Sequence, residues 1–365
     1  MSDNLVAENI ARLKPYHPGK PIEEVQRELG LTDIIKLASN ENPLGPSKAA
    51  IAAIRDSASR VFLYPEGAAP VLRAKVSERL GVDPDSLVFG NGSDEVLHLI
   101  CETFLVSGED ETVQGDPSFA MYEIYATLAN AKITKVPLTN YTHDLDAMAD
   151  AVTDKTRVMF IANPNNPTGT LVTQKQVERL LSRLPERVVL VMDEAYDDYV
   201  ANPDKPNLIP LVNEGRNIVI CRTFSKLYAL AGLRVGFGIA PPALAGYMNR
   251  ARSPFNVNLI AQAAAAAAWD DAEHIAESVA LNAAGRNQIY AALEAAKIGY
   301  VPSEANFVLI DVARDSREVF DALLRRGIIV RAGYGLGLPN HIRVTVGTHE
   351  QNARFLSALV DVLKA

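Results

Sequence analysis

Thr223-Phe224-Ser225-Lys226, followed closely by Ala231-Gly232-Leu233-Arg234, comes just after an apolar run at residues 218–220. Such a run is typical of a strand buried on both faces. A lysine just past the end of a buried strand is desolvated, which lowers the pKa of its amine and makes the amine nucleophilic. Amines of this kind form Schiff bases with carbonyl groups. A surface lysine after a strand would look the same, so the interpretation of Lys226 depends on the residues at the ends of the other strands.

The composition is that of an ordinary globular protein. The chain has 365 residues, 48% hydrophobic and 22% charged, which suits about two or three domains with a sizeable core. A formal net charge of −8 argues against nucleic acid as a partner. Neither the N-terminus nor the alanine-rich run at residues 261–269 is typical of a signal peptide or a membrane span. The two cysteines lie in apolar segments, so we expect a cytoplasmic protein with no membrane partner.

Helices and strands alternate between about residues 70 and 240, which predicts an α/β fold with a mostly parallel sheet flanked by helices. Several of the strands are almost continuous apolar runs, as expected for strands buried on both faces. The predicted strands are residues 86–89, 111–114, 157–162, 188–192, 217–221 and 235–240. The predicted helices are residues 71–80, 94–105, 120–129 and 174–184.

The chain is predicted to have three parts. Residues 1–40 form an N-terminal arm that is too short for a core of its own and is expected to pack with the C-terminal part. Residues 41–250 form the large domain, and residues 251–365 form a smaller α+β domain. The predicted elements outside the large sheet are helices 22–29, 258–269, 271–293, 316–326 and 350–363, and strands 34–38, 306–311, 328–331 and 341–346.

Polar residues follow the predicted strands, and ligands of open α/β sheets bind beyond the carboxyl ends of the strands. Gly90-Asn91-Gly92-Ser93-Asp94 leads into a helix, whose first amides suit a phosphate. Asp116-Pro117-Ser118-Phe119 brings an aromatic ring that could stack on a planar group. Asn163-Pro164-Asn165-Asn166-Pro167-Thr168-Gly169 predicts a rigid loop with side-chain amides as donors.

Asp193-Glu194-Ala195-Tyr196 comes after the apolar run at residues 188–192. Asp193 is therefore expected to be buried, and a buried carboxylate needs a partner such as a protonated ring nitrogen. Tyr196 could donate to a nearby phenolate oxygen. No histidine or further carboxylate lies at ligand spacing, so no metal is expected, and Asp197 and Asp198 are predicted to be a solvated continuation.

The strand ends together supply a phosphate cradle, a stacking ring, amide donors, a carboxylate, a phenol and an amine, which match pyridoxal 5'-phosphate group by group. Arg234 suits bidentate binding of a phosphate, and Thr223 and Ser225 add hydroxyls. The aldehyde would go to Lys226. The residues predicted to hold the coenzyme are Gly92, Ser93, Asp94, Phe119, Asn166, Asp193, Tyr196, Thr223, Ser225, Lys226 and Arg234.

The motifs Asn-Asn-Pro-Thr-Gly (residues 165–169), Asp-Glu-Ala-Tyr (193–196) and Thr-Phe-Ser-Lys (223–226), in this order, resemble those of the class I/II aminotransferases of fold type I. The resemblance runs from Asn40-Glu41-Asn42-Pro43 to Arg343-Val344-Thr345-Val346-Gly347-Thr348, essentially the whole chain. Phe119 departs from the family pattern, since many relatives have tyrosine there. The resemblance implies that Lys226, Asp193 and Tyr196 are catalytic.

The resemblance also implies a homodimer whose active sites lie at the subunit interface. Tyr64 would reach the cofactor phosphate of the partner subunit, and Tyr16 would help to close the substrate pocket. Arg331 and Arg343 match the substrate-binding arginines. Within the family the chain is most similar to enzymes that convert L-histidinol phosphate and 2-oxoglutarate to imidazole acetol phosphate and glutamate, in histidine biosynthesis.

Other functions remain open from the sequence. The pocket shape, which the sequence does not show, decides between histidinol phosphate and an aromatic amino acid as donor. Decarboxylation of threonine phosphate on the same scaffold depends on how the scissile bond is oriented. A non-enzymatic binding protein is disfavoured by the intact Lys226, Asp193, Tyr196 and Arg234 set. A nicotinamide enzyme is disfavoured too, because the glycine-rich residues 333–337 lack the strand–helix context of a dinucleotide loop and are predicted to be a flexible loop.

Overall fold

A computed structural model describes residues 5–13 and 19–364 of the chain. The strands are β1 (Ile35–Lys36), β2 (Leu87–Gly90), β3 (Glu111–Asp116), β4 (Lys132–Pro137), β5 (Thr156–Ala162), β6 (Val189–Asp193), β7 (Ile218–Thr223), β8 (Gly236–Ile239), β9 (Tyr300–Val301), β10 (Phe307–Asp311), β11 (Ile328–Ile329), β12 (Arg331–Ala332) and β13 (His341–Thr345). The helices are α1 (Glu8–Ala11), α2 (Ile22–Leu29), α3 (Lys48–Ala58), α4 (Pro70–Leu80), α5 (Gly92–Phe104), α6 (Ala120–Leu128), α7 (Leu145–Asp150), α8 (Gln174–Leu181), α9 (Ile209–Asn213), α10 (Pro242–Ala251), α11 (Leu259–Trp269), α12 (Ala272–Ala296), α13 (Ser316–Leu324) and α14 (His349–Lys364).

A seven-stranded sheet in the order β2-β8-β7-β6-β5-β3-β4 forms the centre of the large part of the molecule. β8 runs antiparallel to both of its neighbours, and the remaining pairs are parallel. Successive residues of β5 pack on opposite faces, with Met159 and Ile161 in one core cluster and Phe160 in the other. Burial on both faces explains the continuous apolar runs of the sequence, and the predicted α/β fold with a mostly parallel sheet is confirmed.

The sequence missed one strand of this sheet. Among the described residues, β4 pairs with β3 alone. Most residues of its sequence, Lys-Ile-Thr-Lys-Val-Pro, are exposed or half-buried. An edge strand with lysines and a terminal proline lacks the apolar run by which the central strands were found. The predicted strand 328–331 is divided in the structure, since β11 pairs with β1 and β12 pairs with β13 in a separate four-stranded sheet.

The smaller part of the molecule is built on the antiparallel sheet β12-β13-β10-β9. Its core cluster includes Ile310, Val344 and Phe355. α11, in contrast, packs on the large sheet. Its residues Ala264 and Trp269 are fully or nearly fully buried in the core cluster that contains Met159 and Ile161. We therefore propose that the two domains divide within α12, which lies closer to the C-terminus than the boundary expected at residue 250.

The N-terminal arm contacts both parts. Val25 of α2 packs against Leu324 and Ile329 of the smaller part, and β1 pairs in parallel with β11. Asn9 of α1 donates to the carbonyl oxygens of Thr127 and Leu128 in the larger part. In the part of the chain that the structure describes, no helix has the length and hydropathy needed to cross a membrane.

A buried charge cluster lies next to the ends of β6 and β7. Arg222 donates to Glu194 from both Nε and Nη2, at 2.9 and 2.7 Å, and its Nη2 is 3.2 Å from Oδ2 of Asp197. Lys205 donates to the same carboxylate at 3.0 Å. The expectation that Asp197 is solvated is therefore wrong: only 7% of the residue is exposed, because its charge is balanced by two cations brought from elsewhere in the chain.

We expect Arg222→Met to destabilise the protein by about 3–5 kcal/mol, because it leaves buried carboxylates without their main cation. Burial raises the pKa of Glu194, and the charge of Arg222 opposes that rise. Without Arg222 the pKa rises further, and a carboxyl with a raised folded-state pKa contributes stability at low pH that is lost as the pH rises through that pKa. Urea unfolding should thus show a larger loss at about pH 8 than at about pH 5.

Arg187→Met is the matched control, since Arg187 pairs with the fully exposed Asp154 at 3.3 Å. Surface pairs of this kind contribute about 0–1 kcal/mol. Equal losses in the two variants, or a loss that does not depend on pH, would contradict the assignment of Arg222 as the cation that balances this cluster.

Candidate active site

A cavity of about 430 Å³ lies at the carboxyl ends of the central strands. It brings together most of the residues that the sequence singled out: Ser93, Asp94, Phe119, Asn166, Asp193, Tyr196, Thr223, Ser225, Lys226, Arg234, Arg331 and Arg343. Gly92 directly precedes Ser93 as the first residue of α5. Tyr64 lies outside the cavity, 82% exposed, and Tyr16 falls outside the described residues.

Lys226 lies three residues beyond the end of β7, and its side chain enters the cavity. Its Nζ donates to the carbonyl oxygen of Ser39 at 3.1 Å and lies 5.8 Å from the ring centre of Tyr196. Desolvation, and then the charge of Arg343, lower the pKa of Lys226 to about 8. About a tenth of the amine is therefore neutral, and nucleophilic, at about pH 7.

Asp193, the last residue of β6, is buried at the floor of the cavity. Oδ2 accepts a hydrogen bond of 2.7 Å from the hydroxyl of Tyr122, and Oδ1 accepts one of 3.2 Å from the amide of Ala195. Burial raises the pKa of Asp193 to about 6 in spite of these donors. A cation facing the carboxylate would offset the desolvation of its charged form.

Tyr122 was not identified as a site residue from the sequence. It is fully buried in α6, and its ring is stacked on Phe160 at 4.8 Å between centroids. The sequence offered no clear signal, because a tyrosine within the mostly apolar α6 looks like any core aromatic. Only the structure shows its hydroxyl bonded to Asp193 at the end of β6.

The start of α5 and Arg234 form the cradle predicted for a phosphate. The first amides of a helix have no partner within it, and they attract anions. Arg234 lies alongside, with Nη2 3.4 Å from the carbonyl oxygen of Asn91 and Nη1 3.5 Å from the hydroxyl of Ser225. Gly92 has a φ of 76°, and a Cβ there would lie 2.6 Å from Nη2 of Arg234. Any other residue would therefore strain the backbone and displace the guanidinium from the cradle.

The carboxylate of Asp94 is drawn away from this cradle. Its Oδ2 accepts a 2.8 Å hydrogen bond from the hydroxyl of Tyr125. A Cβ on Gly236 of β8 would come 2.3 Å from the amide nitrogen of Ser93, so this glycine lets the start of α5 approach the sheet. Asp94 can thus contribute its backbone amide to an anion while its own charge is hydrogen-bonded elsewhere.

Asn40 joins the cavity to the smaller domain, and the sequence singled it out only as the start of the family resemblance. Nδ2 of Asn40 donates to the hydroxyl of Tyr196 at 2.9 Å, and its backbone amide donates to Oγ1 of Thr345 at 2.9 Å. Asn306 donates to its carbonyl oxygen at 3.0 Å. Its φ of 55° lies in the left-handed region, which asparagine tolerates better than most residues.

Arg343 reaches the cavity from β13. It donates to the side-chain oxygen of Asn166 and, at 2.9 Å, to the carbonyl oxygen of Ala38. Arg331 is paired with Arg343 in the register of β12 and β13. Two neighbouring arginines at one wall of the cavity suit a substrate with an anionic group.

These residues fit pyridoxal phosphate. The cradle at α5 suits its phosphate, the buried carboxylate of Asp193 suits a protonated ring nitrogen, and the partly neutral amine of Lys226 suits its aldehyde. Two observations indicate a site shaped for such a group. A Cβ at Gly92 would displace Arg234, and the carboxyl of Asp193, which faces the cavity, has a raised pKa. Within the described ranges, no three His, Cys, Asp or Glu side chains cluster as a metal site would require.

The fold and this site define a pyridoxal phosphate enzyme of the aminotransferase type. The family model for aminotransferases of class I and II matches residues 32–359, and the chain belongs to that family. The chain is 50% identical over 357 residues to a histidinol-phosphate aminotransferase of Moorella thermoacetica, covering 98% of this chain and 92% of that protein. It is 49% identical to a histidinol-phosphate aminotransferase of a Geobacillus species, covering 96% of each.

Solved structures give the same result for the fold. The crystal structure of histidinol-phosphate aminotransferase from Sinorhizobium meliloti, in complex with pyridoxal-5'-phosphate, superposes with a TM-score of 0.90 at 26% identity, covering 98% of this chain and 97% of that one. An L-threonine-O-3-phosphate decarboxylase from Porphyromonas gingivalis shares the fold with a TM-score of 0.81 at 21% identity, covering 91% of this chain and 100% of that one.

We expect Tyr122→Phe to weaken coenzyme binding in a pH-dependent way. A hydrogen bond to a charged acceptor contributes about 1.5–3 kcal/mol, so its loss should raise the pKa of Asp193 by roughly one to two units. In the wild type the affinity should fall as the pH drops through about 6, where Asp193 takes up a proton, and in the variant the fall should begin at higher pH. The dissociation constant of pyridoxal phosphate, measured from about pH 5 to 9, tests this.

Tyr300→Phe is the control, because its hydroxyl donates to Glu294, away from both Asp193 and the phosphate cradle. If the pH profiles of the Tyr122 variant and the wild type coincide, the hydroxyl does not set the charge state of Asp193.

Proposed function

We propose that this aminotransferase transfers the amino group of L-histidinol phosphate to 2-oxoglutarate, giving imidazole acetol phosphate and glutamate in histidine biosynthesis. The observation that carries the proposal is the shared cavity, which presents the amine of Lys226, the carboxylate of Asp193 and the two arginines of β12 and β13. The relatives named above, about half identical along nearly the whole chain, support the same substrate.

The pair of arginines suits a reaction with two different anions. Histidinol phosphate has no carboxylate, so its phosphate would occupy the site that takes a carboxylate of glutamate in the other half-reaction. Arg343 is held by hydrogen bonds to Asn166 and Ala38. Guanidinium groups bind carboxylate and phosphate with the same bidentate geometry.

Each site residue has a defined task in this proposal. Pyridoxal phosphate, when bound, supplies a ring that withdraws electrons from the substrate carbon that loses its proton. The amine of Lys226 takes that proton and returns it, as general base and then general acid. Asp193 holds a proton on the ring nitrogen of the coenzyme, and Tyr196 and Asn166 orient its phenolic oxygen.

The phosphate of the coenzyme is assigned to the backbone of Gly92, Ser93 and Asp94 and to Thr223, Ser225 and Arg234. Phe119 is assigned to stack on the coenzyme ring. In the protein it already packs edge-on against Tyr122, at 5.6 Å and 84°, so its ring is held by an aromatic neighbour. Arg331 and Arg343 are assigned to the substrate, together with Tyr16.

Coenzyme-loaded protein, free of oxo acid, should be converted to the aminated form by histidinol phosphate and by glutamate, and far more slowly by phenylalanine. The visible absorbance of the bound coenzyme measures each half-reaction, with threonine phosphate as a fourth donor and Lys226→Ala as the inactive control. A faster response to phenylalanine would show that the amino donor is an aromatic amino acid and not histidinol phosphate. Release of CO₂ from threonine phosphate would indicate a decarboxylase. Turnover by the Lys226→Ala variant would refute the proposed mechanism.

We further propose that the enzyme is a cytoplasmic homodimer. Large apolar side chains are exposed together on residues 61–64 and nearby, including Phe62 at 80% and Tyr64 at 82%. Tyr64 stacks on Phe255 at 4.9 Å between ring centres. Neighbouring large apolar side chains that are this exposed support an interface. The two buried free cysteines suit a reducing compartment.

Subunit mixing tests whether Tyr64 serves the partner's site. Lys226→Ala and Tyr64→Ala subunits, each impaired alone, should recover activity when unfolded and refolded together. A mixed dimer would contain one site with both an intact lysine and an intact tyrosine, so roughly a quarter of all sites should be restored in an equal mixture. No recovery, in a mixture shown to contain mixed dimers, would assign Tyr64 to its own subunit or to no site.

A further inference from the structure

A short hairpin in the large domain contacts His341 of the small domain. Thr139 and Thr142 form an isolated antiparallel bridge, and the two residues between them, Asn140 and Tyr141, have φ values of 49° and 63°. Positive φ at both central residues is the pattern of a type I′ turn, which most readily takes Asn-Gly. Tyr141 is therefore strained, because a bulky side chain in the left-handed region is an outlier.

The contacts of Tyr141 account for this strained position. Its hydroxyl lies 3.1 Å from Nε2 of His341, and the two rings meet edge-on with centroids 5.6 Å apart. Burial lowers the pKa of His341, so its ring is neutral at neutral pH. A neutral imidazole has one ring nitrogen that accepts a hydrogen bond, and the tyrosine can donate to it.

The turn of the hairpin is attached to the chain just after the loop that carries Asn166. Oγ1 of Thr170, just after that loop, donates to the carbonyl oxygen of Tyr141 at 2.7 Å. His143, buried directly after the hairpin, packs so closely on β3 that a Cβ on Gly115 would lie 2.2 Å from its Nδ1. The hairpin therefore has a fixed position relative to the cavity.

His341 is the first residue of β13, the strand that carries Arg343. Residues two apart on a strand face the same side, so His341, Arg343 and Thr345 share one face. Each makes a contact with another part of the chain: His341 with Tyr141, Arg343 with Asn166, and Thr345 with Asn40. The opposite face, with Ile342 and Val344, belongs to the core of the small domain.

We propose that Tyr141 and His341 are positioning residues, which form a latch between the domains and hold β13 so that Arg343 points at the substrate anion. The latch acts at one end of the strand and Thr345 with Asn40 acts at the other, with Arg343 between them. The inference rests on the proposed function only in assigning the substrate anion to Arg343. Neither residue lines the cavity, so their effect on substrate passes through the strand.

Tyr141→Phe tests the latch by removing the hydroxyl alone. We expect the half-saturating concentration of glutamate in the half-reaction to rise roughly two- to tenfold, the effect of one lost hydrogen bond. The limiting rate and the affinity for pyridoxal phosphate should change by less than about twofold, because neither Lys226 nor the phosphate cradle touches the latch. Amide hydrogen exchange in β12 and β13 should be faster in the variant, which is a readout independent of turnover.

Substitutions of His341 give the second arm. His341→Leu should reproduce the effect of Tyr141→Phe, His341→Gln should restore part of the affinity by supplying an acceptor, and the double variant Tyr141→Phe/His341→Leu should be no worse than either single one. Tyr300→Phe is the matched control, since its hydroxyl donates to Glu294 within the small domain. It should leave both glutamate binding and β13 exchange unchanged.

The proposal of a latch is wrong if Tyr141→Phe leaves the half-saturating concentration of glutamate and the amide exchange of β13 unchanged. It is also wrong if the effects of Tyr141→Phe and His341→Leu simply add in the double variant. A fall in the limiting rate and in coenzyme affinity as large as the fall in substrate affinity would also overturn it, since it would indicate a general structural role. Because glutamate is the donor, a wild type that ignores histidinol phosphate would refute the proposed substrate and leave this test intact.

Discussion

The site depends on one constraint. The amine of Lys226 and the carboxylate of Asp193 must lie at the ends of adjacent strands, largely away from water. Desolvation lowers the pKa of the lysine to about 8 and raises that of the aspartate to about 6, and both shifts disfavour the charged forms. The parallel pairing of β6 with β7 brings the two strand ends together. The reactivity of the amine is therefore a consequence of the topology of the sheet.

The surroundings limit the cost of this burial by providing specific partners. Asp193 receives hydrogen bonds from Tyr122 and from the amide of Ala195, while its neighbour Glu194 is paired with Arg222. Two consecutive carboxylates in one short segment are thus held by separate donors. Because Glu194 is paired with Arg222, Asp193 keeps its own donors and remains available to the cavity.

The sequence predicted the central strands and most of the site because both leave local signals. Continuous apolar runs mark β5, β6 and β7, and the polar residues just beyond them are the ones that meet in the cavity. β4 gave no such signal, since it lies at the sheet edge and carries lysines. Asp197 was predicted to be solvated because its cations, Arg222 and Lys205, are distant in the chain or attached to another element.

The residues that sequence reasoning missed share one property: their role consists of long-range hydrogen bonds. Tyr122 meets Asp193, Asn40 meets Tyr196 and Thr345, and Tyr141 meets His341. Composition, periodicity and spacing describe neighbours along the chain and carry no information about such pairs. Of these contacts, the two on β13 are also the ones that join the domains, and they flank Arg343 on one face of a single strand. The direction of Arg343 is consequently a property of how the larger and smaller parts of the molecule pack, which no segment of the sequence contains by itself.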